Sequence, residues 1–112
     1  MLPSDPLIEE YVDNDGYSPF ADWFDGLDAG AAARVRVALS RLARGATSNV
    51  KAVGAGVMEY RIDTGPGYRV YFARRGERLI LLLGGGTKRR QDEDIAAAKR
   101  RWTAFKAKTK DD

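Results

Sequence analysis

Arginine recurs on two short segments that read as neighbouring strands: Arg61 within residues 57–62 (VMEYRI) and Arg69 within residues 68–74 (YRVYFAR). Successive strand residues point to opposite faces. Arg61 therefore shares a side with Glu59, and Arg69 with Tyr71. Met58, Tyr60, Ile62, Tyr68, Val70 and Phe72 take the other side and read as buried. A face that only meets water needs no more than Lys, Thr, Ser or Glu. Arginine adds a fixed charge and a planar fork that grips two phosphate oxygens at once. Lys51 before the strands, and Lys88, Arg89 and Arg90 after them, bring further cations to the adjoining loops. The chemistry these types can do is phosphate recognition. Each has a plainer alternative: Glu59 and Arg61 as an ion pair within the sheet, Tyr71 as packing beneath a helix, the lysines as solvated loop residues.

Composition narrows the choices. The chain has 112 residues, enough for one domain with a single core. It has no cysteine and no histidine, which removes disulfides, a thiol nucleophile, a histidine base and the usual zinc ligands. No metal and no small-molecule cofactor is called for. Residues 1–33 carry eight acidic side chains and no Lys or Arg, so all nineteen basic residues follow from Arg34 onward. That asymmetry points to an anionic partner for the later part, with nucleic acid the usual candidate, or to balance between faces of one molecule. The opening MLPSDPLIEEYV has neither the basic start nor the apolar run of a signal peptide. The longest apolar run, 79–83, is too short to span a membrane. A cytoplasmic protein is expected.

The elements that must position these residues follow from spacing. Residues 7–12 suit a first strand. Ser18 and Pro19 open a helix whose Phe20, Trp23, Phe24 and Leu27 fall on one face. Asp28 opens a second, with Ala31, Ala32, Val35, Ala38, Leu39 and Leu42 inward, Arg34, Arg41 and Arg44 on another face, and Gly45 as the stop. Residues 45–56 read as a glycine-rich loop without the G-x-x-x-x-G-K-[ST] pattern of a phosphate cradle. Residues 79–83 (LILLL) do not alternate, so that strand needs cover on both faces. The helical hairpin supplies one cover. The other is a C-terminal helix from Gln91, with Ile95, Ala98, Trp102 and Phe105 as its apolar stripe and a frayed tail at 106–112. The order predicts an α+β domain, strand, helix, helix, three strands, helix, on a mostly antiparallel four-stranded sheet.

Four stretches carry a family resemblance: K-x-V-G-x-G-V-x-E-x-R-I at 51–62, G-P-G-Y-R-V-Y-F at 65–72, L-L-x-G-G-x-K-x-x-Q at 82–91 and D-I-x-x-A at 94–98. Together they resemble the addiction-module killer proteins, small toxins of the RelE/ParE superfamily close to the HigB type. The chain departs from that pattern at GATSN (45–49), where relatives carry G-N-x-G-D, at Thr87, where they carry Asp, and at Tyr60, where they carry Leu. The resemblance implies a single RelE/ParE-like toxin domain over 1–112 with the RelE-like β-α-α-β-β-β-α order. It further implies a metal-independent mRNA endonuclease acting on translating ribosomes, neutralised by a cognate antitoxin, often a small helix-turn-helix protein.

For such a reaction the 2′-hydroxyl attacks the adjacent phosphate, which requires in-line positioning, stabilisation of the pentacoordinate charge and proton transfer at both oxygens. Arg69, with Arg61 across the hairpin, suits the charge. Glu59 could take the 2′-hydroxyl proton, although neighbouring arginines lower a carboxyl's pKa and weaken it as a base. Lys88 or Lys51 could serve instead. Tyr71 could stack on a base or donate a proton, and Arg89 and Arg90 could hold the backbone. Two other functions fit the same resemblance: a ParE-like toxin that inhibits gyrase, and a non-catalytic relative that only binds an antitoxin and regulates its operon.

Overall fold

A computed structural model describes residues 5–109. Its elements are β1 (Leu7–Glu10), α1 (Pro19–Asp25), α2 (Ala29–Ala43), β2 (Val50–Gly54), β3 (Val57–Ile62), β4 (Tyr68–Arg75), β5 (Leu79–Thr87) and α3 (Gln91–Thr109), the last entered through a single 3-10 turn at Lys88–Arg90. The helix starts are set as the sequence predicts. Ser18 Oγ accepts from Ala21 N at 3.1 Å with Pro19 at the first position, and Asp28 Oδ1 accepts from Ala31 N at 2.8 Å. Gly45, at φ +91°, ends α2: its N–H reaches Leu42 O at 3.0 Å, while Ala46 N reaches Arg41 O at 3.0 Å. This is the paired closure that favours glycine just past a helix.

The five strands form one mixed sheet in the order β1-β5-β4-β3-β2, with β1 parallel to β5 and the other pairs antiparallel. The expected four-stranded sheet and the β-α-α-β-β-β-α order are thus corrected by one strand. β2 lies where a loop was expected, within 45–56. It is an edge strand with most of its residues exposed, so it carries no burial alternation to read. The glycines that suggested a loop instead make its turn. Ala55 (φ +57°) and Gly56 (φ +83°) link Gly54 to Val57 in a two-residue hairpin, which requires positive φ at both central positions.

Each sheet face has its own core. On one, Tyr60, Val70, Phe72, Ile80 and Leu82 meet Phe20, Val35, Ala38 and Leu42 of the helical hairpin. On the other, Val57, Tyr71, Ala73, Leu81 and Leu83 meet Ala98 and Trp102 of α3, with Ile95 and Phe105 packed alongside. The LILLL run is therefore covered on both sides, as its composition requires. Three glycines continue β5 and set the distance of both layers. A Cβ on Gly85 would stand 2.1 Å from Trp23 Cε3. One on Gly84 would stand 2.8 Å from Arg101, and one on Gly86 would stand 2.1 Å from Asp94 Oδ2. The GGG stretch is the bare strip on which α1 lies on one face and α3 on the other.

Candidate phosphate-binding site at the end of the sheet

The β3–β4 register puts Arg61 directly opposite Arg69, and Glu59 opposite Tyr71. The shared face expected from alternation is therefore real. Two like charges facing across a ladder repel, and Glu59, one row further along, offsets that. Its Oε1 accepts from Arg61 Nε at 2.9 Å and lies 3.9 Å from Arg69 Nε. Its Oε2 accepts from Gln91 Nε2 at 2.8 Å. Glu59 is fully buried. Burial alone would raise its pKa, but the hydrogen bonds from Arg61 and Gln91 and the charges of both arginines outweigh burial and hold it below the ordinary carboxyl value. It is an anchored anion with both oxygens occupied, poorly suited to take a proton.

Arg69 is nearly buried. One terminal nitrogen donates to Tyr68 O at 3.3 Å and lies 3.5 Å from Oδ1 of the exposed Asp63, while Nε is buried with no hydrogen-bond partner. Its outward end thus faces a single, long, solvent-exposed carboxylate contact, which a phosphate can replace. Lys88 comes to the same place from β5: its backbone N–H donates to Gly67 O at 2.9 Å. Gly67, at φ +74°, separates the two cations. A Cβ there would lie 3.5 Å from Lys88 Cβ and 3.6 Å from a terminal nitrogen of Arg69. Arg61 is about one-third exposed on the other flank.

The remaining expected residues divide. Tyr71 is completely buried beneath α3, so in this arrangement its ring offers no surface for stacking on a base; it packs under the helix, the alternative its position also allowed. Its hydroxyl is buried and lies near Glu59, yet makes no hydrogen bond of good geometry. Burial, then the charges of Glu59 and Asp94, push its pKa well above the ordinary tyrosine value, so it stays a proton donor. Lys51 stands opposite Glu59 on the edge strand and is exposed. Arg89 is exposed. Arg90 is too, but its Nε donates to Glu93 Oε2 at 3.2 Å, so its charge is already engaged.

Four participants were not assigned from sequence: Gln91, Asp63, Asp94 and Arg101. The signal for Gln91 was present in the K-x-x-Q spacing that opens α3. Asp94 and Arg101 lie over the bare strip of β5. Arg101 donates to Leu83 O at 2.9 Å, and burial lowers its pKa; burial also raises that of Asp94. Only the demand of the three glycines for close approach could have pointed to these two. Among the described residues no cluster of His, Cys, Asp or Glu is arranged to hold a metal ion, and no helix is long and apolar enough to cross a membrane.

A five-stranded α+β domain with a helical hairpin on one face and a C-terminal helix on the other is compatible with a small toxin fold. The family model described as phage-derived protein Gp49-like matches residues 22–103. The chain belongs to this Gp49-like family, part of the RelE/ParE-like toxin superfamily and associated with the toxins of toxin–antitoxin modules. It is also similar to an uncharacterized protein of Haemophilus influenzae, 41% identical over 63 residues, a stretch that spans 55% of this chain and 64% of that protein.

Proposed function

We propose that the protein is a toxin of the HigB type that cleaves mRNA on translating ribosomes without a metal ion, and that an antitoxin neutralises it. The observation that carries this reading is the pair of arginines, Arg61 and Arg69, facing each other on one ladder with Lys88 beside Arg69. In the proposed reaction the scissile phosphate takes the place of Asp63 at Arg69. Arg69 and Arg61 then hold the two non-bridging oxygens and stabilise the charge that grows as the 2′-oxygen attacks. The bond from phosphorus to the 5′-oxygen breaks, leaving a 2′,3′-cyclic phosphate and a free 5′-hydroxyl. The 2′-hydroxyl proton passes to solvent water, and the Lys88 ammonium is the donor for the departing 5′-oxygen. Glu59 acts by positioning: it fixes Arg61 Nε and keeps the two guanidinium groups in one site.

Purified protein incubated with a synthetic mRNA, alone and with translating ribosomes, tests the reading. Cleavage within the coding region is expected when ribosomes are present, with cyclic phosphate on the upstream fragment. Transcripts that stay intact under both conditions would contradict it, and gyrase-dependent DNA breakage instead would move the protein to the other activity known in its superfamily.

A further inference from the structure

Two carboxylates lie between α3 and the sheet, and they differ in what holds them. Glu59 has both oxygens bound, by Arg61 Nε at 2.9 Å and by Gln91 Nε2 at 2.8 Å. Asp94, about one turn along α3 from Gln91, is half-buried. It has neither a salt bridge nor a side-chain hydrogen bond among the described residues. Its place is set by the bare backbone of β5, since a Cβ on Gly86 would stand 2.1 Å from Asp94 Oδ2. Gly86 is the direct ladder partner of Arg69. Residues paired in this way share a face, with their Cβ positions about 5 Å apart. The Asp94 carboxylate therefore stands within about 8 Å of Arg69 Cβ, on the side of the sheet that carries Arg61, Arg69 and Glu59.

We infer that Asp94 is the proton acceptor for the 2′-hydroxyl, acting across a single bridging water. The inference rests on the nuclease reading. As the 2′-oxygen attacks phosphorus, its proton passes to the water, and the water gives one of its own protons to the Asp94 carboxylate. The carboxyl later returns that proton to solvent. Lys88 supplies the proton that the departing 5′-oxygen takes, so one proton leaves at the 2′ side and one arrives at the 5′ side. Two carboxylates in one site take different roles when their surroundings differ. Glu59 is tied to its donors and holds the arginines, whereas both oxygens of Asp94 are open to a water. The groups that face Asp94 are Arg90 from the 3-10 turn, Glu93 and Arg101 within α3, and Arg69 and Tyr71 from β4; β5 offers only glycine there. Burial, with the charge of Glu93, raises the Asp94 pKa, while Arg90 and Arg101 act against that rise. A carboxylate shifted toward the working pH is the better base.

The test uses the full chain, translating ribosomes and a synthetic mRNA, with single-turnover rates read at saturating protein. Asp94→Asn keeps the size of the side chain and removes the acceptor. Its cleavage rate is expected to fall about a hundredfold or more, with no weakening of affinity for an uncleavable 2′-deoxy oligonucleotide. The wild-type rate should climb about tenfold per pH unit on the acid side and level off above the Asp94 pKa, and Asp94→Asn should lack that acid limb. Gly86→Ala sets a methyl against Oδ2 and displaces the carboxylate without altering it, so cleavage should slow by at least about tenfold. That rate and the wild-type profile stand whether or not Asp94→Asn folds, and circular dichroism checks the fold of each variant. Asp94→Asn cleaving within about threefold of the wild type, or keeping the acid limb, overturns the inference and leaves the nuclease reading in place. Wild type that leaves the message intact overturns the nuclease reading and this inference with it.

Discussion

Arg69 is nearly buried, with Nε lacking a hydrogen-bond partner and a terminal nitrogen on the exposed carboxylate of Asp63, and that asymmetry is what makes it a candidate to bind phosphate. Its neighbours have separable tasks. Glu59 is stabilised as an anion, so its folded pKa lies below the unfolded value near 4.5. The stabilisation is complete above that value and is lost as pH falls through the folded pKa. Thermal denaturation of the wild type should therefore show its midpoint dropping more steeply below about pH 4.5 than that of Glu59→Gln; parallel curves would mean that Glu59 is not held as an anion. Tyr71 offers the opposite case. An unpartnered buried hydroxyl costs ~1–3 kcal/mol, so Tyr71→Phe should unfold in urea at the same or a higher concentration. A loss of more than about 1 kcal/mol would show that the hydroxyl is bonded in solution. Alternation alone made Glu59, Arg61, Arg69 and Tyr71 legible as one set. It could not show that α3 covers Tyr71 and reaches Glu59 through Gln91, because spacing carries no distance between a helix and the sheet beneath it.

Elements with an apolar face or an unbroken apolar run were readable, and the half-open edge strand was not. Both hairpin helices announce themselves through a cap and an apolar stripe, and α2 also through its glycine stop. The strands β3, β4 and β5 show burial patterns that fit their places in the sheet. β2 shows none, because an edge strand half open to water has no reason to alternate, and β1 pairs in parallel with a strand about seventy residues later, a non-local contact that short-range spacing does not encode. The GGG stretch was visible but its meaning was not: its glycines are needed for contact with Trp23, Arg101 and Asp94, all distant in sequence. Gly85→Ala should destabilise the fold by ~1–3 kcal/mol, since a rigid indole stands where the methyl would go. Its denaturation midpoint tests this, and a midpoint equal to the wild type's would mean that α1 does not lie against β5 as described. Gly86→Ala meets only the movable end of Asp94 and should cost less.

At the scale of the whole molecule, charge is divided by function. The acidic first third includes Asp28, which caps α2, and arginines of the basic remainder stand at the end of the sheet and on the outer side of α2. The two cationic regions differ in kind: nearly buried Arg69 at the phosphate site, and the exposed Arg34 and Arg41, which have no salt bridge among the described residues, beside apolar surface in a groove between α2 and β3. The two share Arg61 and Asp63, both of which line the groove and touch the phosphate site. The proposed role of Arg69, holding a phosphate that is cut, can be checked by expressing the wild type and Arg69→Ala in growing cells and mapping the 5′ ends of messenger RNA. New ends within coding regions are expected for the wild type, with a loss of about a hundredfold or more in their yield for Arg69→Ala at equal protein level. Growth arrest with intact transcripts, or the same ends from both proteins, would contradict it.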